Sequence, residues 1–231
     1  MPPAPADVGR VLLAAAAARY ERVCPDCSLV QFMQSGATYL FDLASAAGAE
    51  QEDRTVAAWT VTPDAVGKRD ASYQRGFPLA ADPGNPKVDR GHLIPHLSGG
   101  EFGPNIFRQD RALNRGWSDE GRRFRALERE AASGPGIFYF GHLLYEDDTA
   151  YPMEIEIGIL RGGLLHVERF QNRFSSGRQP AHGDNRVQPL PPGWPVSATV
   201  GELTAELDRF TAHAAFRGSP AQCHGDKGET I

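Results

Sequence analysis

The densest run of chemically useful side chains lies in residues 87–114, KVDRGHLIPHLSGGEFGPNIFRQDRALN. A short β-prone run ends in Asp89-Arg90-Gly91-His92, a glycine-rich loop follows, and Asn114 closes the stretch. Histidine exchanges a proton near neutral pH, so His92 is a candidate general base. An amide oxygen is a hard ligand that suits Mg²⁺, so Asn114 is a candidate metal ligand. No periodic apolar pattern accounts for so many polar and glycine residues.

These residue types suit the hydrolysis of a phosphodiester. The attacking water must lose a proton, the charge at pentavalent phosphorus must be stabilised, and the leaving oxygen must be neutralised. Arginine clamps phosphate oxygens in a planar fork, and Arg90 stands two residues before His92. A strand, then His, then a loop, then Asn at the start of a helix is a compact way to place base and metal on opposite sides of one phosphate.

Three spaced motifs carry a family resemblance: Asp89-Arg90-Gly91-His92, Asn105-Ile106-x-x-Gln109 and Leu113-Asn114-x-Gly116. They resemble the DNA/RNA non-specific endonuclease family, whose members share a ββα-metal (His-Me finger) site. The upstream run Ala58-Trp59-x-Val61-Thr62 extends the resemblance, which spans about residues 54–130. The first motif alone is a weak signal, whereas the three together at this spacing are a strong one.

The resemblance implies a role for each matching position. His92 would be the general base that activates water. Asn114 would be the one direct protein ligand of a hydrated Mg²⁺ or Mn²⁺ ion. Arg90 would contact the phosphate or support the fold around it, for instance as an ion-pair partner of Asp89. Asn105 would orient the loop after His92, or the substrate.

An upstream arginine also touches the phosphate in that family. Residues 64–86 show no clean periodicity and are predicted to form a long surface loop, and loops of this length are often functional. The loop carries Arg69, which is the candidate, and Arg75, which is its rival.

In that family, a glutamate that holds metal-bound waters usually follows the metal-binding asparagine. Glu128 fits that pattern, but only after about six extra residues. On one continuous helix Asn114 and Glu128 would lie about 21 Å apart, too far for a shared metal ion. Either the chain breaks around Gly116–Ser118, or Glu120 takes the role, or no glutamate does.

The elements that must position these residues can be predicted from the sequence pattern. Ser118 followed by two acids is a typical helix start. We expect helices at 8–23, 119–132 and 200–216, and strands at 54–62, 87–93, 137–145, 153–160 and 164–170, with a Gly162-Gly163 hairpin turn. The apolar segment 28–47 is a strand or a short helix. The predicted fold is α+β, with a central antiparallel or mixed sheet, flanking helices and a ββα-metal finger motif.

Composition sets the limits of this interpretation. The 231 residues, 41% hydrophobic and 23% charged, suit one soluble domain, with a core site at about 54–132 and both terminal helices packed on it. The net charge of −5 argues mildly against a nucleic-acid partner. An enzyme needs only a local basic cleft, however, and residues 108–129 contain seven arginines. On general grounds most of these form a solvated face.

No apolar run approaches the roughly 20 residues of a transmembrane helix, and we expect no membrane partner. Residues 11–18 are predicted to belong to an amphipathic helix, and there is no clear signal peptide. The three cysteines cannot all pair within one chain. The sequence allows three states for Cys24 and Cys27: reduced thiols, a disulfide or redox pair, or two ligands of a zinc site that also includes Cys223 and His224. His96, His142 and His166 follow no trusted ligand spacing.

The function indicated is a metal-dependent endonuclease that hydrolyses DNA and RNA and leaves 5′-phosphates, as the family does. The variant motifs resemble bacterial toxin-type members, which act on competitors after delivery by a secretion system. That resemblance implies a secreted or delivered protein with a cognate immunity protein. The alternatives are a secreted nuclease for scavenging or DNA uptake, and a catalytically inactive relative that binds nucleic acid or protein.

Overall fold

The computed structural model describes residues 4–48, 51–67, 85–161 and 163–172. The elements, in chain order, are α1 (Pro5–Tyr20), β1 (Leu29–Gln34), β2 (Ala37–Asp42), a 3-10 turn (Ala44–Ala47), β3 (Arg54–Val61), β4 (Val88–His92), a 3-10 turn (His96–Ser98), β5 (Ile106–Asp110), α2 (Arg111–Arg115), α3 (Asp119–Ala131), β6 (Phe138–Leu144), β7 (Glu154–Arg161) and β8 (Leu164–Gln171).

In the described part of the chain, six strands form one sheet in the order β1-β2-β3-β6-β7-β8, and each neighbouring pair is antiparallel. Strands β4 and β5 form a separate antiparallel ribbon. Because β3 and β6 are neighbours in the sheet, everything between them in the chain is one excursion from its centre. That excursion contains the ribbon, α2 and α3, and therefore the whole candidate site.

The two faces of the sheet carry different layers. Helix α1 packs on one face, where a Cβ added at Gly9 would lie 2.3 Å from the Trp59 ring, so only glycine allows this close approach. Successive strand residues point to opposite faces, so Gly141, which pairs with Ala58, faces the other way. On that face Leu93, the residue after His92, fills the space above Gly141.

Helix α3 covers the same face as Leu93. Its Phe124 packs edge-on against Phe170 of β8, with the ring centroids 5.2 Å apart. Both rings are almost fully buried, and burying aromatic surface of this size is the main favourable contribution to packing the helix here. The excursion is therefore anchored to the sheet at two points, directly after β4 and through α3.

The α1 face also buries charge. His142 of β6 contacts Glu156 of β7 at 2.9 Å, and Arg169 of β8 contacts the same carboxylate at 2.6 Å. Burial raises the pKa of Glu156, but hydrogen bonds and charge from His142 and Arg169 outweigh it and lower the pKa to about 2. His142 therefore has a structural role, as its lack of ligand spacing indicated.

The predicted α+β class is confirmed, and the sheet is antiparallel throughout its described strands. Residues 28–47, for which the sequence pattern allowed either a strand or a short helix, contain the hairpin β1–β2. Its two-residue turn, Ser35 and Gly36, has positive φ at both positions (51° and 85°), as a type I′ turn requires. Its second strand is buried at every position, so the alternation that marks a strand is missing from the sequence. The first helix begins and ends three residues earlier than predicted.

Several predictions lie outside the described residues: the loop with Arg69 and Arg75, the helix at 200–216, and Cys223 with His224. Residue 162 of the predicted glycine turn also lies outside them. In the described part of the chain, no helix is long and apolar enough to cross a membrane.

Candidate active site

The ribbon and α2 form one continuous unit. Strand β5 ends at Asp110, and α2 begins at the next residue. The Asp110 carboxylate accepts a hydrogen bond from Leu113 N at 2.8 Å and so caps the helix. No loop separates strand from helix, and the register of the ribbon therefore fixes where Asn114 lies.

The loop after His92 is held by Asn105. Leu93 N donates to the Asn105 backbone oxygen at 2.9 Å, and Ile94 N donates to Asn105 Oδ1 at 2.7 Å. Asn105 Nδ2 donates in return to Ile94 O at 2.9 Å. Asn105 is fully buried, and both ends of its amide are used within this loop. The geometry fits the loop-orienting role and not contact with substrate, because the side chain is fully buried.

Gly100 closes the same loop. A Cβ at this position would lie 1.9 Å from Ile94 O and 2.8 Å from Asn105 Nδ2, so no other residue fits. His92 itself is half-buried, and its ring lies 5.8 Å from that of Phe102, centroid to centroid. The imidazole therefore sits against an apolar wall, at the end of a strand whose continuation is pinned on both sides.

Asp89 holds the helix that carries Asn114. Its carboxylate accepts hydrogen bonds from Arg111 Nε at 2.9 Å, Arg115 Nε at 2.7 Å and Asn114 Nδ2 at 3.1 Å. Burial raises the pKa of Asp89, but the hydrogen bonds from Arg115, Asn114 and Arg111 outweigh it, and the pKa is lowered. Asp89 is therefore a charged acceptor at neutral pH, and we call this set of contacts the Asp89 clamp.

The clamp fixes which way the Asn114 amide points. A charged carboxylate can only accept hydrogen bonds, so the NH₂ group of Asn114 must face Asp89 and the carbonyl oxygen must face away. Within the described ranges, that oxygen accepts no hydrogen bond. A single outward amide oxygen, with water as the remaining ligands, fits a hard cation that keeps much of its hydration shell. No group of three or more His, Cys, Asp or Glu side chains gathers to hold an ion in the described residues.

Arg90 forms no ion pair with Asp89, so the predicted alternative in which Arg90 only supports the fold through that pair is wrong. The ion pairs of Asp89 go to Arg111 and Arg115 instead. Within the described part of the chain Arg90 has no acidic partner, and its Nε is buried without a hydrogen-bond partner. A guanidinium in this state, two residues before His92, is suited to binding an anion.

Asn114 and Glu128 lie on two separate helices, which is the alternative in which the helix is interrupted around Gly116–Ser118. Helix α2 ends at Arg115, and the next residue, Gly116, has a φ of 70°. Ser118 caps α3 by accepting a hydrogen bond from Gly121 N at 2.9 Å. A Cβ at Gly121 would lie 2.7 Å from Ala112 O. Helix α3 thus folds back against α2, and the 21 Å separation expected along one continuous helix does not apply.

Glu128 lies on the helical face that faces α2. Gly121, Arg125 and Glu128 share this face, and a Cβ at Gly116 would lie 3.3 Å from Arg125 Cγ. The Glu128 side chain is 11% exposed and accepts from Arg125 Nη1 at 2.7 Å. Burial raises the pKa of Glu128, and Arg125 offsets only part of that rise. No hydrogen bond joins Glu128 to Asn114 in the described residues.

Glu120 has a different use. Its Oε1 accepts a hydrogen bond from the backbone N of Gln171 at 2.7 Å, which ties the start of α3 to the end of β8. Of the two glutamates considered, Glu128 is therefore the one that remains a candidate for the site.

Gln109 is a polar residue to which the sequence assigned no role. It lies opposite Asp89 in the ribbon and covers Gly91, where a Cβ would lie 2.3 Å from Gln109 Oε1. It is buried, and both its amide atoms lack a hydrogen-bond partner in the described residues. The Asn-Ile-x-x-Gln spacing was its only sequence signal.

The two described cysteines follow α1 and are not joined to each other by a disulfide. Cys27 N donates to Cys24 O at 3.2 Å, which closes a turn around Pro25 and Asp26. Cys24 Sγ lies 3.7 Å from Gln51 Oε1. The zinc alternative stays a prediction, because its other ligands lie outside the described residues.

The sequence matches no protein-family model, and no curated protein matches it. The functional interpretation therefore depends on the motifs and on the geometry given above.

Proposed function

We propose that this protein is a metal-dependent endonuclease that hydrolyses phosphodiester bonds in DNA and RNA. The observation that carries the proposal is the Asp89 clamp. It turns one amide oxygen of Asn114 outward, on a helix continuous with the ribbon whose first strand ends at His92.

Each side chain then has a defined task. His92 accepts the proton of the attacking water, and the Asn105 loop keeps its ring in place. Arg90, which has no acidic partner in the described residues, binds a phosphate oxygen. Asn114 Oδ1 would hold a hydrated Mg²⁺ or Mn²⁺ ion, which when bound supplies positive charge for the phosphate and the leaving oxygen.

Glu128 would bind waters around that ion through hydrogen bonds. Burial raises the energetic cost of the Glu128 negative charge, Arg125 offsets part of that cost, and a bound cation nearby would offset more of it. Arg69, with Arg75 as its rival, stays the proposed upstream phosphate contact.

Cleavage of supercoiled plasmid tests the proposal. The wild-type protein should nick plasmid in Mg²⁺ and not in EDTA, and His92→Ala should abolish nicking in Mg²⁺. An absence of metal-dependent cleavage, with binding of the same plasmid retained, would leave only the catalytically inactive binding relative. Cleavage in EDTA would contradict the metal requirement.

We further propose that the nuclease acts as an antibacterial toxin, delivered into target cells and neutralised by a cognate immunity protein in the producer. The support is the resemblance of its motifs to toxin-type nucleases. Expression in the bacterial cytosol should inhibit growth, whereas His92→Ala should be harmless. Equal growth of the two strains would refute the toxin role.

A further inference from the structure

Trp117 is a large apolar side chain held in an exposed position next to the proposed metal ligand. It stands three residues after Asn114, and 63% of its surface is exposed. Among the described residues it is the largest of the exposed apolar side chains, and leaving it in water forgoes the free energy that its burial would contribute. The features that position it are therefore informative.

The backbone of Trp117 is fixed by the end of α2. Gly116 adopts a left-handed conformation, its N–H donates to Leu113 O at 3.2 Å, and Trp117 N donates to Ala112 O at 2.9 Å. These are the two hydrogen bonds of a Schellman motif. In that motif the residue at the Trp117 position commonly packs back onto its own helix, but here the indole projects into solvent. The helix that orients Asn114 also orients this ring.

The Arg115 guanidinium lies over the indole, 5.1 Å from its centroid. Two hydrogen bonds to Asp89, at 2.7 and 3.1 Å, hold that guanidinium in place. A cation–π contact at such an exposed site contributes little to folding. The ring and the charge are therefore organised together by the Asp89 clamp, with most of the indole surface still exposed.

We propose that Trp117 is a stacking platform for an unpaired nucleobase of the nucleic acid bound at Asn114, with the base on one face of the indole and the positive charge of Arg115 on the other. The inference rests on the proposed function and identifies the preferred substrate. Aromatic stacking accepts any base, so it adds affinity without sequence preference. Bases within a duplex are already stacked on their neighbours, so single-stranded or locally unpaired DNA and RNA should bind more tightly than duplex.

A nucleic-acid strand fits this surface better than a protein because of the surrounding charge. Residues 108–129 contain seven arginines against four acidic residues. On the adjoining helix, Arg122 and Arg123 form ion pairs with Asp119 and Glu168, and their side chains are 63% and 62% exposed. Each nucleotide of a nucleic-acid strand has a phosphate that can bind an arginine and a base that can stack on the Trp117 indole. A second copy of this chain is the competing occupant.

Binding is measured in the His92→Ala background, so that the nucleic acid stays intact. The probes are a labelled oligothymidylate, an abasic oligonucleotide of the same length, and a duplex, each followed by fluorescence anisotropy. Trp117→Ala should weaken oligothymidylate binding about 5- to 150-fold, and Trp117→Phe should weaken it less. Neither variant should change binding of the abasic probe. Met33→Ala, which removes another exposed apolar side chain, is the matched control and should bind like the parent.

Two results would overturn the stacking proposal: equal oligothymidylate affinity for Trp117→Ala and its parent, or an equal loss for the abasic probe. Size-exclusion chromatography in which the parent is a dimer and Trp117→Ala a monomer would assign the ring to self-association instead. The endonuclease proposal is judged separately by plasmid nicking. Trp117-dependent binding without nicking supports the platform and refutes only the nuclease, whereas nicking with unaffected binding refutes only the platform.

Discussion

Replacing Asp89 by Asn tests how the structure orients the metal ligand. The change keeps the size of the side chain but removes the charge that forces the Asn114 NH₂ group to face it. An asparagine at this position can offer either an oxygen or an NH₂ group, so both orientations of the Asn114 amide become possible. Arg111 and Arg115 lose their ion-pair partner at the same time.

The expected effects on folding and on metal binding differ in size. The side chains of Arg111 and Arg115 are 34% and 47% exposed, so their ion pairs contribute only about 0–1 kcal/mol each to the free energy of unfolding. Partners that orient a metal ligand typically change metal affinity about 10- to 100-fold when they are altered. Asp89→Asn should therefore remain folded and still bind metal much more weakly.

The assay is the rate of plasmid nicking as a function of Mg²⁺ concentration. We expect the half-saturating Mg²⁺ concentration to rise about 10- to 100-fold, with most of the maximal rate regained at saturating Mg²⁺. Glu52→Gln is the matched control. It removes a carboxylate that accepts two hydrogen bonds from Arg108 of the same ribbon, at 2.7 and 3.1 Å, and it should leave the Mg²⁺ requirement unchanged.

Either of two results would refute this reasoning. An unchanged Mg²⁺ requirement in Asp89→Asn would show that the carboxylate does not set the orientation of Asn114. A loss of nicking that no Mg²⁺ concentration restores, in a folded protein, would show that Asp89 acts by another route.

Two further predictions concern stability. Asn105→Ala leaves the buried N–H and C=O of Ile94 without partners, so it should lower the free energy of unfolding by about 2–5 kcal/mol in urea titrations, and an unchanged midpoint would disprove the loop assignment. The lowered pKa of Glu156 contributes stability that is complete above its unfolded pKa of about 4.3 and is lost as pH falls toward its folded pKa of about 2. Thermal melts over this range should show a loss on the order of 3 kcal/mol, and Glu156→Gln should remove that part of the pH dependence.

Local signals in the sequence predicted the local structure well. Ser118 begins α3 as expected, because capping depends on hydrogen bonds within one turn of helix. The motif ending in His92 terminates a strand as expected, because its β-prone residues and the glycines after it act over a few positions. The motifs containing His92 and Asn114 could be assigned to a strand and a helix because the signals that mark these elements also act over a few neighbouring residues.

The sequence could not predict contacts set by chain reversal. Asp89 and Asn114 are 25 residues apart, and only the antiparallel ribbon and the direct start of α2 bring them together. The position of Glu128 follows from the reversal of the chain at Gly116, which folds α3 back against α2. The sequence did not decide between this interruption of the helix, Glu120 in the role of Glu128, and no glutamate in that role. The hairpin β1–β2 was also left open, because a fully buried strand has no polar alternation.

The most direct test of the central claim compares metal binding and cleavage in the same three proteins: wild type, His92→Ala and Asn114→Ala. Calorimetric titration with Mn²⁺ measures binding, and single-turnover plasmid nicking measures cleavage. We expect His92→Ala to bind Mn²⁺ like the wild type without cleaving, and Asn114→Ala to lose both binding and cleavage. Wild-type Mn²⁺ affinity in Asn114→Ala, or wild-type cleavage in His92→Ala, would contradict the central claim.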